Sequence, residues 1–191
     1  SAASDVYKRQ AYDVLDAGDT QTINVTYSVT DEHGAVGNAA FDIVITGTND
    51  APTATFTAPQ AVNEDDAPIS DTLTVTDVDA DDAHTFDLDA PIAGVTLAGA
   101  VWSFDPSDDA YQALELGETQ DVTVNYTVTD SQGISDSTSF AITVTGINDD
   151  PVATFTTQQD LTEGTGSQTA QLTATDVDNN ATASFADTTG G

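Results

Sequence analysis

Val122-Thr123-Val124-Asn125-Tyr126-Thr127-Val128-Thr129 alternates without a fault, with Val122, Val124, Tyr126 and Val128 on one face and Thr123, Asn125, Thr127 and Thr129 on the other. Successive side chains of an extended chain point to opposite faces, so this is the pattern of a half-buried strand. A turn around Asp130-Ser131-Gln132-Gly133 leads into Phe140, Ile142 and Val144, again with a period of two. Residues 122–129 and 138–145 are therefore expected to pair as an antiparallel hairpin. Upstream, Thr53–Thr57, Leu73–Thr76, His84–Leu88, Val95–Leu97 and Val101–Phe104 read as further short strands, rich in the Thr, Val and Ile that suit a pleated, half-buried surface. Seven short strands separated by turn signals predict an all-β fold of the immunoglobulin-like β-sandwich type. One segment, Ala110–Leu116, carries a helical hint and is expected to make a single turn crossing between sheets.

The hairpin has a copy earlier in the chain. Tyr27-Ser28-Val29-Thr30-Asp31 returns as Tyr126-Thr127-Val128-Thr129-Asp130, a shift of 126 − 27 = 99 residues. At the same shift Thr46-Gly47-Thr48-Asn49-Asp50 returns as Thr145-Gly146-Ile147-Asn148-Asp149, and Thr76-Asp77-Val78-Asp79 as Thr175-Asp176-Val177-Asp178. A repeat of about 100 residues is long enough for a small domain and too long for a solenoid unit. The chain thus divides into the C-terminal part of a first repeat at 11–51, a complete sandwich at 52–150 and the N-terminal part of a third repeat at 151–191. Residues 1–10 break the pattern, because Ala2–Gln10 do not resemble Val101–Asp109 with their Trp102 and Phe104. Asp5-Val6-Tyr7-Lys8-Arg9-Gln10 looks like the translation of a transposase end used in sequencing libraries, and this stretch is expected to be a non-native artefact or a linker.

Charge narrows the partners. Asp and Glu number 33 against 2 Lys and Arg, a net charge of −31, and both basic residues, Lys8 and Arg9, lie in the unmatched stretch. Without Lys or Arg the repeats cannot grip phosphates, which excludes nucleic acid, and they would be repelled by anionic membrane surfaces. The chain has no Cys and hence no disulfide framework, so packing or metal ions must do the stapling. No apolar run approaches the length of a membrane-spanning helix.

Catalytic sets are missing from the pattern. The sequence shows no Ser-His-Asp arrangement, no Gly-rich phosphate loop and no His-rich zinc motif, and acidic clusters that recur with the repeat suit structural cation sites better than active sites. The chain is expected not to be an enzyme. Trp102 lies in an alternating strand and is expected in the core, while His33 and His84 stand alone and are expected to be solvated loop residues.

Gly47-Thr48-Asn49-Asp50-Ala51-Pro52, Val62-Asn63-Glu64-Asp65-Asp66, Leu73–Asp79, Val101–Phe104, Leu114–Glu118, Tyr126–Asp130 and Thr145–Asp149 follow one another in an order that resembles the VCBS repeat family, a bacterial cadherin-like group. The resemblance runs from Ala11 onward. It departs at Asn148-Asp149-Asp150-Pro151, where Ala is usual before Pro, and at Glu163, which Gly164 follows in place of Asp. It implies tandem cadherin-like sandwiches from large secreted or surface-attached bacterial proteins, adhesins among them. In such a sandwich the loops after Leu73–Thr76 and after Val122–Thr129 open at the N-terminal end of the domain. Asp77, Asp79 and Asp130 would then meet the incoming linker Asn49-Asp50. By the same resemblance Glu64, and either Glu115 or Glu118, would face the second linker, Asn148-Asp149, together with Asp176 and Asp178. Such clusters of hard oxygen donors would take Ca²⁺, which accepts six to eight oxygens in flexible geometry, where Mg²⁺ keeps waters in a tighter octahedron.

The expected function is a structural extender of an extracellular or cell-surface bacterial adhesin, its junctions rigidified by calcium and its partners the neighbouring repeats or copies of itself. Two alternatives stand beside it. The Thr-rich faces could bind a glycan or a protein, or the partial repeats of different chains could complete one another into a fibre.

Overall fold

The computed structural model describes residues 12–56, 60–79, 82–154, 162–164 and 171–186, so the anomalous first ten residues lie outside the described part. Its strands are β1 (Thr20–Thr30), β2 (Val36–Thr46), β3 (Thr53–Thr55), β4 (Gln60–Asn63), β5 (Ile69–Thr72), β6 (Thr74–Thr76), β7 (Thr85–Leu88), β8 (Val95–Ala98), β9 (Val101–Phe104), β10 (Thr119–Thr129), β11 (Ser135–Thr145), β12 (Val152–Thr154) and β13 (Thr173–Thr175). Among the described residues there is no helix. Ala110–Leu116 forms successive tight turns, with Tyr111 N–H donating to the Asp108 carbonyl and Leu114 N–H to that of Tyr111. Tyr111 and Leu114 of this segment are both buried by a looping chain.

β3 to β11 form a two-layer sandwich. One sheet has the order β4-β11-β10-β7, with β10 and β11 paired antiparallel from Thr119 opposite Thr145 to Thr129 opposite Ser135. Its edge strand β4 runs parallel to β11, Gln60 opposite Ile142 and Asn63 opposite Thr145. The facing layer combines β3-β6 with β5-β9-β8. β5 and β6 are one extended stretch that changes partner at Leu73, whose N–H bonds the Ala100 carbonyl at 2.8 Å just past the last β5–β9 pair. β4 and β5 escape a reading by alternation because each is only four residues long and polar-rich.

The core lies between the layers, and the alternating face of β10 supplies its centre: Val122, Val124, Tyr126 and Val128 are buried, as are Phe140, Ile142 and Val144 of β11. Trp102 is 1% exposed and lies 4.9 Å, centroid to centroid, from Phe140, which stacks on Phe56 at 4.0 Å. The Tyr126 hydroxyl reaches across to the Thr55 carbonyl at 3.2 Å, so the two layers are joined by a hydrogen bond as well as by apolar contact. β1 and β2 repeat the β10–β11 register 99 residues earlier, Thr20 opposite Thr46 and Thr30 opposite Val36. There the equivalent face, with Tyr27, Val29, Phe41 and Ile43, is largely exposed.

A glycine sets the end of the sandwich. Gly146 follows β11, and a Cβ there would collide with the Glu115 carbonyl oxygen. Gly146 N–H bonds the Glu118 carbonyl and Gly117 N–H bonds that of Gly146, which presses the 115–118 turn against the outgoing strand. Gly47 makes the same approach to Leu15 and Asp16. The recurrent Thr-Gly dipeptide therefore places an acidic turn beside each linker.

Candidate metal centres at the repeat junctions

The first centre is built where β6 and β10 end and the linker from the first repeat arrives. Asp130 closes the β10–β11 turn, its Oδ1 accepting the N–H groups of Gln132 and Ile134 at 2.9 and 2.8 Å. Its Oδ2 accepts the Asn49 side-chain N–H at 2.8 Å. The Asp50 N–H donates to Asp79 Oδ2 at 2.7 Å, and Asp79 N–H to Asp77 Oδ1 at 3.1 Å. Asn49, Asp50, Asp77, Asp79 and Asp130 thus come together at this end of the sandwich. Carboxylate oxygens of Asp77, Asp82 and Asp130 lie within 4.8 Å of one another.

Two features differ from the sequence reading. His84 is not a solvated loop residue: its Nε2 lies 2.9 Å from Asp77 Oδ2, and the two side chains are only 13% and 3% exposed. The His84 ring sits just before β7, where the antiparallel pairing of β7 with β10 carries it under the β6 loop. His33, in contrast, is 83% exposed beside Glu32. Asp82 is the second difference, a cluster member that the period could not reveal because Ala181 stands 99 residues later. Ser131 Oγ donates to Asp82 Oδ1 at 2.7 Å and so aims this carboxylate at the cluster.

The second centre lies at the opposite end. Glu64, directly after β4, is fully buried, and its Oε1 accepts the Ile147 N–H at 2.7 Å. Asp149 N–H donates to Asp178 Oδ2 at 3.0 Å and Asp178 N–H to Asp176 Oδ1 at 3.1 Å, which copies the Asp50–Asp79–Asp77 chain of the first centre. The Asn148 side chain donates to the Asp149 carbonyl, as Asn49 does to that of Asp50. Carboxylate oxygens of Glu64, Asp149 and Asp178 lie within 4.8 Å of one another. Of the two turn residues, Glu115 reaches the third repeat, accepting the Asn180 side-chain N–H at 2.6 Å, whereas Glu118 turns back to its own loop and accepts the Glu115 N–H at 3.0 Å.

Electrostatics agrees with the geometry. Burial first, then the neighbouring charges of Asp79, Asp13 and Asp77, push the Asp50 carboxyl above its ordinary value. Burial also raises Glu64; the Ile147 N–H pulls the other way, and Asp149, Asp178 and Asp65 push it up again. Asp149 is raised by burial and by Asp65, Asp178, Asp176 and Asp150. Asp130 goes down: burial alone would raise it, but the hydrogen bonds from Asn49, Ile134, Gln132 and Gly133 outweigh that.

Both clusters fit a cation on one further observation. Asn49 Oδ1, Asp79 Oδ1 and Asp82 Oδ2 at the first centre, and Glu64 Oε2, Asp149 Oδ2 and Asp178 Oδ1 at the second, are buried oxygens with no hydrogen-bond partner. Buried polar atoms ordinarily find partners, and acceptor oxygens need a hydrogen-bond donor or a positive ion. The centres can therefore hold a metal ion, through hard oxygen donors.

No family model matches the chain, and no curated protein does. Among the described residues no helix is long and apolar enough to cross a membrane. The solved structures it resembles include the protocadherin GammaB4 extracellular domain, at TM-score 0.47 and 19% identity over 82% of this chain and 26% of that one. Mouse clustered PcdhgC3 EC1-3 matches at TM-score 0.45 and 17% identity over 88% of this chain and 57% of that one. Drosophila N-cadherin EC1-4 matches at 0.44 and 15% over 74% and 37%. The chain thus spans between about a quarter and somewhat over half the length of these three structures, and its assignment as an all-β sandwich rests on the strand pairing described above.

Proposed function

We propose that the chain is an extender segment of a larger extracellular protein, in which Ca²⁺ held at the two junctions fixes the angle between successive repeats. The observation that carries this reading is the set of six buried, unpartnered oxygens, three at each junction, on a chain whose repeats contain no Lys or Arg. Two carboxylates 4 Å apart repel by about 1 kcal/mol in bulk water and about 4 kcal/mol at an effective dielectric of 20, so each cluster opposes its own assembly. A divalent cation reverses the sign of that term. Calcium suits the site better than magnesium because the donors come from a linker and from several loops, a flexible set of oxygens.

Each sandwich with its linker then advances about 40 Å, and calcium turns a string of domains into a rod. The junctions serve as joints, not as active sites, and a bacterial cell-surface setting follows from the VCBS resemblance. Calcium titration under small-angle scattering tests the proposal: a maximum dimension that lengthens and sharpens with calcium is expected, and an unchanged profile would overturn it.

Glycan binding on an aromatic platform is less well supported, because Trp102 is buried. Assembly between copies has an observation in its favour. The exposed face of β1–β2 carries Tyr27, Val29, Phe41 and Ile43, whose equivalents Tyr126, Val128, Phe140 and Ile142 are buried beneath β3 and the strands beside it. Sedimentation equilibrium separates the readings, since completion between copies requires a mass that rises with concentration.

A further inference from the structure

Asp77 is held at both of its carboxylate oxygens. Oδ1 accepts the Asp79 N–H at 3.1 Å, and Oδ2 lies 2.9 Å from His84 Nε2. An ionised carboxylate gives no proton, so the hydrogen between Asp77 and His84 belongs to the imidazole. The two side chains are only 3% and 13% exposed, which keeps water from competing for that bond.

The bond joins the two layers of the sandwich. Asp77 follows β6, which belongs to the β3–β6 sheet, and His84 precedes β7, the edge of the other sheet. β7 and β10 are antiparallel with Thr85 opposite Thr129, so His84 and Asp130 are the next residues beyond that pair, at the same end of the domain. The sheet that carries Asp130 thus delivers an N–H donor, and the donor meets the carboxylate that arrives from the facing sheet.

From His84 the bonds run on to the linker. His84 fixes Asp77, Asp77 Oδ1 takes the Asp79 N–H, and Asp79 Oδ2 takes the Asp50 N–H at 2.7 Å. At the far end stands Asp79 Oδ1, buried and without a hydrogen-bond partner. An Asp77 carboxylate that turned freely would not hold the Asp79 loop, and Asp79 would not present that second oxygen. An imidazole suits the foot of this chain for another reason. It can give an N–H without bringing a full charge, so the charge of Asp77 is left for an ion. A Lys or Arg in its place would neutralise the cluster by itself, and the repeats contain neither.

We infer that His84 is a positioning residue of the first metal centre, anchoring Asp77 so that the Asp77, Asp82 and Asp130 oxygens stand assembled before an ion arrives. The inference rests on the proposed calcium reading of the junctions and adds to it the residue that tunes the affinity of the first. Hydrogen bonds to metal-ligating groups commonly carry about 10–100-fold in metal affinity. A preassembled cluster also loses less freedom on binding than one that must gather its ligands. The third repeat has Ala183 at the corresponding position, 99 residues on, so the second centre serves as an internal control.

Nuclear magnetic resonance of the isotope-labelled full chain reads both centres in one calcium titration. The Gln132 N–H donates to Asp130 and the Ile147 N–H to Glu64, so these amides report the first and second centres separately. The His84 ring signals are expected to move together with the Gln132 amide, while those of His33, 83% exposed, stay as they are. His84→Phe, which keeps a ring but gives no N–H, should weaken the calcium response of Gln132 by about 10–100-fold and leave that of Ile147 unchanged. His84→Gln, whose amide N–H has a similar reach, should recover most of the loss. An unaltered Gln132 response in His84→Phe would overturn the inference, as would an equal loss at both centres or a glutamine variant no better than phenylalanine. Calcium that moves neither amide would sink the calcium reading and the inference with it. If the dependence on His84 holds but calcium leaves the scattering profile unchanged, the extender proposal fails alone.

Discussion

The buried Glu64 carboxylate accepts the Ile147 N–H at 2.7 Å through Oε1 and leaves Oε2 without a partner among the oxygens of Asp149 and Asp178. One oxygen therefore ties the end of β4 to the outgoing linker, and the other waits on a positive charge. Glu64→Gln keeps the first bond, through its amide oxygen, and turns the second oxygen into a donor. In chelator the variant should be more stable than the parent by about 1 kcal/mol, the order of one relieved charge pair. In calcium it should be less stable. Melting curves of both proteins in both buffers check the change of sign.

Acidity should act in opposite directions with and without metal. Glu64, Asp149 and Asp50 have carboxyls raised in the folded state, so the stability they contribute is full below their unfolded values and is lost as pH rises through the raised folded values. In chelator the melting temperature should therefore rise as pH falls from neutral toward the upper edge of the carboxylate range. Asp130 is lowered, and its contribution is present above its unfolded value and lost as pH falls through the folded one, which reverses the trend at the acid end. With calcium bound the ion competes with protons, and acidification from neutral should only destabilise. Differential scanning calorimetry over a pH series in both conditions reads the two slopes.

Chelation alone should lower the melting temperature. For an extracellular-type site with a dissociation constant of about 10⁻⁴–10⁻³ M, free calcium at about 10–100 times that value stabilises by roughly 1.4–2.7 kcal/mol per site. A melting temperature unaffected by chelator at low salt would identify the acidic residues as a solvated coat.

Asp77→Asn with Asp79→Asn should loosen the first junction and leave the complete sandwich folded. Both side chains are shielded, but among the described residues they bond linker and loop N–H groups and His84, whereas Val122, Val124 and Val128 belong to the apolar core. Scattering in calcium should change from that of a rod to that of a hinged pair, while the Trp102 near-ultraviolet signal stays as it was.

Phe140→Ala and Phe41→Ala form an internal comparison between equivalent residues. Phe140 is 6% exposed and stacks on Phe56, whereas Phe41 is 51% exposed. Loss of the Phe140 ring should cost about 3–5 kcal/mol. Loss of the Phe41 ring should stay within about 0.5 kcal/mol. Urea unfolding followed by Trp102 fluorescence measures the first, since that residue reports the complete repeat, and far-ultraviolet circular dichroism of the full chain measures the second.

The hairpin was legible because β10 and β11 are long, alternate strictly and occur twice. β4 and β5 were not, since four polar-rich residues carry too little periodicity and their pairing is decided by partners far away in sequence. The acidic residues that meet each linker were legible for the same reason as the hairpin: Asp77 and Asp79 recur as Asp176 and Asp178. Asp82 and His84 belong to one repeat only, so a reading that trusts recurrence passes over the residues in which the junctions differ. The choice between Glu115 and Glu118 needed coordinates, because it depends on which way a turn held by Gly146 faces.

The parallel pairing of β4 with β11 has a mechanical meaning. The chain enters the sandwich through β3 and continues as β4, β11 leaves toward the next repeat, and Gln60–Asn63 lies side by side with Ile142–Thr145 in the same direction. Tension along the array pulls these neighbours toward opposite ends and loads their hydrogen bonds in shear. The bonds must then yield together, where an antiparallel pair pulled from one end would open one rung at a time. An array under tension would load this ladder in shear beyond the β3–β6 pairing, and Glu64, bonded to Thr145 and Ile147 at the ladder's last rung, ties its end to the outgoing linker.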